Sequence, residues 1–176
     1  TNGVTTRGTA VALKKDGSLW AWGYNDSGEL GLNNRSNTYI PTQVGTDTNW
    51  SYIDSAYTGN NPHTAAIRTD GTLWSWGNNG AGQLGDGTLV SKSSPVKIGS
   101  SSWSAVSAGF SHSLGITTTG QLYAWGTPAP ALGILTSGAG GSRSSPVLVS
   151  GPVGTSWSKV AAGFSASAAI TTNGAL

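Results

Sequence analysis

One stretch of sequence is written three times in this 176-residue chain, about fifty residues apart. Thr9 to Gly23 reads TAVALKKDGSLWAWG, Thr64 to Gly77 reads TAAIRTDGTLWSWG, and Ser113 to Gly126 reads SLGITTTGQLYAWG. A fourth copy, Ser167 to Leu176, stops before its Trp-x-Trp. A fixed period of this length marks a repeat architecture, in which each unit buries its apolar face only against its neighbours.

The turn glycines Gly17, Gly71, Gly120 and Gly174 set the register, and the tryptophans Trp22, Trp76 and Trp125 keep the same step. Further landmarks recur in order: Leu30-Gly31, Leu84-Gly85 and Leu132-Gly133; then Pro41, Pro95 and Pro146; then Trp50, Trp103 and Trp157. The units run over 9–63, 64–112 and 113–166. Residues 1–8 read as the end of a preceding repeat and 167–176 as the start of a fourth.

Each unit opens as a hairpin. Asp16-Gly17, Asp70-Gly71 and Asn173-Gly174 suit a two-residue turn with positive φ at both central positions. After the turn, period two places Leu19 and Ala21 on one face and Trp20 and Trp22 on the other. Both faces are apolar, as in a strand sandwiched between two sheets. Two further strands are expected per unit, one after the proline (42–44, 96–98, 147–149) and one after the second tryptophan (50–53, 103–106, 157–160). Four short strands per fifty residues, with no helical period, describe a propeller blade better than a turn of an open β-solenoid.

These residues carry a resemblance. Asp70-Gly-x-Leu-Trp-x-Trp-Gly77, Asn78, Gly82-Gln-Leu-Gly85, Pro95-Val, Trp103, Val106 and Ala108-Gly-x-x-His112-Ser resemble the regulator of chromosome condensation repeat. The resemblance implies an all-β fold, a β-propeller of four-stranded blades, seven in the complete ring. This chain would supply about three blades with partial units at both ends. Members of the family include exchange factors for small GTPases and chromatin-binding proteins. The third unit departs from the pattern. It lacks the Asn and the Gly-Gln, and Ala166 stands where His63 and His112 stand in the others.

Three units fall short of the four blades a closed ring typically needs, so the expectation is a segment of a longer polypeptide. Cysteine is absent, which excludes disulfides and thiolate chemistry. Charged residues make up 9% of the chain, against about 25% in an average soluble domain. Gly, Ser, Thr and Asn take their place, a neutral surface that points to an extracellular or virion setting, with an intracellular one as the alternative. No apolar run is long enough to span a membrane. The bases after Asp86, namely Lys92, Lys97, Arg143 and Lys159, are too dispersed for a nucleic-acid surface.

No catalytic constellation emerges. Asp26 and Glu29 share a loop without a paired counterpart in the other units. The two histidines, His63 and His112, occupy the same repeat position, which argues for a repeated structural hydrogen bond rather than a unique centre. Asp86-Gly87-Thr88 reads as a turn, not a metal loop. The tryptophans recur as core positions. Asn25, Asn34 and Asn49 head glycosylation sequons. No cofactor, metal or catalytic residue is therefore assigned, and the chain reads as a non-enzymatic structural or protein-interaction module. Its partner would be another protein, or further copies or segments of the same polypeptide. A regulatory propeller acting on a small GTPase or on chromatin is the alternative. Function tends to sit where loops break a repeat. That directs attention to Ile134, Leu135 and Arg143 in the long third loop, and secondarily to Tyr57, Asn60 and Asn61.

Overall fold

A computed structural model describes residues 8–56, 61–127, 141–149, 151 and 154–174. Among them there is no helix, only strands and turns. The strands are β1 (Thr9–Leu13), β2 (Leu19–Gly23), β3 (Thr38–Gln43), β4 (Trp50–Ala56), β5 (His63–Arg68), β6 (Leu73–Gly77) and β7 (Lys92–Lys97). They continue as β8 (Trp103–Ala108), β9 (His112–Thr117), β10 (Leu122–Gly126), β11 (Arg143–Leu148), β12 (Trp157–Ala162) and β13 (Ser167–Thr171). Antiparallel pairing sorts them into four sheets in the orders β1-β2-β3, β4-β5-β6-β7, β8-β9-β10-β11 and β12-β13. Each sheet is a blade, and blades begin at Trp50, Trp103 and Trp157, one strand ahead of the repeated hairpin.

The hairpin turns differ from the two-residue form expected from Asp-Gly. The Lys14 N–H donates to Ser18 O at 2.9 Å and the Gly17 N–H to Lys14 O at 3.0 Å. Only the glycine has positive φ, 79° at each of Gly17, Gly71 and Gly120. This is a longer turn closed by a glycine in the left-handed region. Its aspartate is there for the side chain: Asp16 Oδ1 accepts from the Ser18 N–H at 2.9 Å, and Asp70 Oδ1 from the Thr72 N–H at 2.9 Å. These bonds hold both carboxyls below their ordinary range.

The proline strands also start earlier than expected and run through the proline. Opposite the two-residue step from Ala21 to Gly23, β3 advances from Thr42 to Thr38, and the same irregularity recurs in the second and third sheets. A proline has no N–H to lose at such a bulge on an outer strand. Val44, Ile98 and Val149 follow these strands and are buried, their N–H groups bonded to Leu19 O, Leu73 O and Leu122 O at 2.8 Å.

The core lies between sheets. One cluster joins Leu19, Ala21, Leu30 and Val44 of the first sheet and its loops to Trp50, Ala66 and Trp76 of the second. A second joins Ala65, Ile67, Leu73 and Ile98 to Trp103, Val106 and Trp125. A third joins Leu114, Ile116, Leu122, Ala124 and Val149 to Ala169. Every sheet is therefore held chiefly by its neighbours, as the period requires.

Candidate functional site

The joints between sheets absorb most of the polar residues that a sequence reader would suspect of chemistry. The Glu29 carbonyl accepts from Trp76 Nε1 at 2.9 Å and from Thr64 Oγ1 at 3.2 Å. One joint on, the Gln83 carbonyl accepts from Trp125 Nε1 and from Ser113 Oγ, both at 2.8 Å. The loop that presents each carbonyl is clamped by an asparagine. Asn25 Oδ1 takes the Leu30 N–H and Asn79 Oδ1 the Leu84 N–H, both at 3.0 Å, while each Nδ2 binds carbonyls further along its loop. Asn25 is fully buried and bonded within its loop, so a glycan on its sequon is incompatible with this fold.

Glycine is required where these loops meet the next sheet. A Cβ on Gly31 would lie 2.7 Å from Trp76 Nε1, and one on Gly85 would lie 2.8 Å from Trp125 Nε1; both residues have positive φ.

The histidines perform the repeated structural role their positions suggest. His63 Nε2 lies 2.8 Å from Ser113 Oγ, and His112 Nε2 lies 2.7 Å from Ser167 Oγ, each reaching one sheet onward. Ser113 Oγ also lies 2.8 Å from Gln83 O, and with its hydrogen on that carbonyl the fitting His63 tautomer carries its proton on Nε2. Its Nδ1 is buried with no hydrogen-bond partner. Burial pushes the His63 pKa down to about 4, and burial also lowers that of His112. Burial thus favours the neutral imidazole at both positions.

A second relay joins the innermost strands, which the sequence did not suggest. Asp54 Oδ2 accepts from Ser107 Oγ at 2.9 Å and from the Ala108 N–H at 3.0 Å. Ser107 Oγ in turn accepts from the Ala162 N–H at 3.0 Å. Asp54 and Ser107 each stand four residues after a blade-opening tryptophan, which is the signal that could have found them.

Glu29 is buried beneath its own loop, accepting from the Ser27 N–H at 2.8 Å, and desolvation raises its pKa. Asp86 closes a turn with Thr88 and pairs with Lys92 at 3.3 Å. Burial works against its charge, but bonds from Thr88, Asn79 and Lys92 prevail and keep its pKa low. Among the described residues no group of three or more His, Cys, Asp or Glu could hold a metal ion. Among the described residues no helix is long and apolar enough to cross a membrane.

What the joints leave free is of three kinds. An open cleft of about 820 Å³ lies between the first and second sheets. On its wall the Arg68 guanidinium stacks over Trp74 at 4.1 Å and Trp50 at 4.5 Å and pairs with Asp47. On the outer rim Tyr39 and Ile40 are 71% and 74% exposed, where the other units have Ser-Ser. On the end of the blades that bears the loops before β9 and β13, Phe110 packs against Phe164 with ring centroids 4.3 Å apart. Phe164 remains 60% exposed.

Of the residues the sequence singled out for partner binding, Tyr57, Asn60, Ile134 and Leu135 lie outside the described residues. Asn61 donates from Nδ2 to Ser111 Oγ at 3.0 Å, beside Phe110, so it belongs to the aromatic end. Arg143 opens the outer strand β11, opposite Gly126, and is half-buried.

Radially joined antiparallel sheets, with repeated joints and no catalytic cluster among the described residues, define a β-propeller repeat protein. The model of the regulator of chromosome condensation (RCC1) repeat matches residues 16–67 and 70–116, and the chain belongs to that family. It is 34% identical over 119 residues to the ultraviolet-B receptor UVR8 of Arabidopsis thaliana, covering 66% of this chain and 27% of the receptor. It is 30% identical over 122 residues to the protein RCC2 homolog of Danio rerio, covering 68% of this chain and 24% of the relative. Among solved structures, yeast RCC1 (Prp20) bound to Kap60 superposes with a TM-score of 0.72 at 25% identity, over 94% of this chain and 40% of that one. Prp20p of Saccharomyces cerevisiae, described with its binding to Gsp1p and histones, gives a TM-score of 0.77 at 21% identity, over 92% of this chain and 41% of that one. The chain thus spans about a quarter of the length of these curated relatives.

Proposed function

We propose that this chain is a non-catalytic protein-binding part of a regulatory propeller, with a small GTPase or a chromatin protein as its partner. The observation that carries the reading is the Phe110–Phe164 pair. The repeated Trp, Asn and His side chains are spent inside the joints, whereas the Phe of the repeated Ala-Gly-Phe-Ser, Phe110 and Phe164, forms an aromatic pair at the loop-bearing end with Phe164 open to solvent. Aromatic groups with a protected rim are the kind that dominate binding energy. The partner class takes its support from a relative: yeast Prp20 is described bound to Kap60 and with its binding to Gsp1p and histones. The likeness to the human ubiquitin ligase HERC2 covers 2% of that protein, so it concerns repeats and carries no ligase chemistry here. An extracellular or virion setting rests on the low-charge composition alone.

The test is nucleotide release from a panel of small GTPases, alongside binding to purified core histones, for the parent protein and for Phe164→Ser. One partner class is expected to respond. Phe164→Ser should weaken that response at least tenfold while leaving the unfolding midpoint unchanged. Silence from both classes, or a response indifferent to Phe164, would overturn the proposal.

A further inference from the structure

The position three residues ahead of the turn glycine is Lys14, Arg68 and Thr117 in successive units, so the fold does not require a guanidinium there. Arg68 stands on the wall of the cleft of about 820 Å³ between the first and second sheets, a size suited to a small ligand. Its guanidinium lies 4.1 Å over the Trp74 ring and 4.5 Å over the Trp50 ring. Two indoles thus fix the plane of the group before anything binds, and little is lost in ordering it.

A guanidinium carries five N–H donors and no acceptor. Arg68 Nη2 pairs with Asp47 Oδ2, while the neighbouring Nε–H is buried and meets no acceptor among the described residues. A carboxylate set side-on would take Nε and Nη2 together, and Asp47 takes one of the two. That aspartate belongs to the run 45–48, every residue of which is exposed, and its side chain is 51% exposed against 16% for Arg68. An ion pair with one partner in solvent contributes little, so Asp47 is a readily displaced occupant of this fork.

Among the described residues, Asp47 and Arg68 are the only charged groups lining the cleft. Asn33, Asn37 and Gln43 bring amides to it. Asn33 Oδ1 is taken by Ser94 Oγ at 3.1 Å and Asn37 Oδ1 by the Asn25 N–H at 2.8 Å. Their NH₂ groups and the whole Gln43 amide make no hydrogen bond among the described residues. The counterparts at the next joint are Gly87, Ser91 and Lys97, so joint-building does not demand these amides either.

We infer that this cleft binds a sugar acid, a small polyhydroxylated carboxylate of the uronic type. Its carboxylate lies side-on to Arg68 Nε and Nη2, Asp47 swings out, and its hydroxyls meet the amides of Asn33, Asn37 and Gln43. A neutral sugar would leave the Nε–H without an anionic acceptor, and a bare carboxylate would leave the amides unused. This goes beyond the partner-binding reading and does not depend on it.

The experiment titrates the full chain with sodium D-glucuronate at constant ionic strength. Nitrogen–proton NMR follows the Arg68 Nε–H, and calorimetry gives the affinities. A saturable shift of that resonance is expected, with D-glucose and acetate each binding at least tenfold more weakly. Asp47→Asn removes the competing charge and should tighten glucuronate binding at least threefold, a gain that a misfolded protein cannot give. Arg68→Lys keeps the charge but loses the fork, and should weaken binding at least tenfold. Gln43→Ala should weaken glucuronate and leave acetate unchanged. An Arg68 resonance indifferent to glucuronate, D47N binding that is unchanged or weaker, or acetate binding as tightly as glucuronate would each overturn the inference. A neutral peptide with a free C-terminus that binds as tightly as glucuronate would also overturn it, by assigning the fork to a protein partner.

Discussion

Replacing His63 by glutamine removes a titrating group from the interior while keeping an N–H that can reach Ser113 Oγ. In the folded protein burial lowers the His63 pKa from 6.5 to about 4. An unfolded chain therefore takes up the proton first as the pH falls. The sign follows from linkage: the stabilisation is complete above pH 6.5, is lost progressively towards pH 4, and changes no further below that. At about 1.4 kcal/mol per pH unit, the loss across this window is on the order of 3 kcal/mol, a large share of a typical domain's stability. Urea unfolding at about pH 7.5, 6.5, 5.5 and 4.5, followed by tryptophan fluorescence, would read it out. The aspartates held low by their turns, Asp16 and Asp70, titrate below this range, and His112 is common to both proteins. The difference between parent and H63Q thus reports the His63 imidazole together with its charge coupling to His112. H63Q should start less stable at about pH 7.5 and then converge with the parent, or overtake it, by about pH 4.5. Parallel pH curves for the two proteins would refute the buried, neutral assignment.

Glu29 titrates with the opposite sign: burial raises its pKa, so its charge destabilises the fold above that pKa and acidification relieves the cost. Glu29→Gln, which copies the second joint, should raise the urea midpoint at neutral pH and remove the relief on acidification. Gly85→Ala should cost more than Gly45→Ala by at least about 1 kcal/mol, although both have positive φ. The new Cβ at position 85 meets Trp125, whereas the one at position 45 meets nothing, and paired urea midpoints would decide it. Asp54→Ala should lose about 1–3 kcal/mol by orphaning Ser107 and Ala108. A double-mutant cycle with Ser107→Ala should return a coupling above about 0.5 kcal/mol.

The sequence made the scaffold legible because the scaffold is repeated. Alignment alone placed β2, β6 and β10, the strands after Trp50, Trp103 and Trp157, and the histidines as structural bonds. It misjudged the turns because Asp-Gly is compatible with two geometries; the Ser18 N–H bond to Asp16 supports the longer one, which Thr119-Gly120 adopts without an aspartate. It started the proline strands late because a bulge makes a missing N–H harmless. The joints were hidden for another reason: their central acceptors, Glu29 O and Gln83 O, are backbone atoms, which leave no letter in a sequence. Phe110 and Phe164 sat at unassigned positions of the repeat motif. Their pairing depends on how two successive loops are set side by side, which no single repeat encodes.

The offset between repeat and blade has a consequence for how such chains can grow and come apart. Residues 64–112 supply β6, β7 and most of β5 to one sheet and all of β8 to the next. Excising one full period between β4 and β11 therefore joins equivalent positions wherever the cut begins, and the sheet rebuilt across the junction still receives four strands. Gene-level slippage need not respect any domain boundary to leave a foldable product. The same staggering acts in reverse on unfolding. Removing one period from the folded chain exposes raw edges on two sheets at once, so the smallest piece that can open cooperatively is larger than the unit that is inherited.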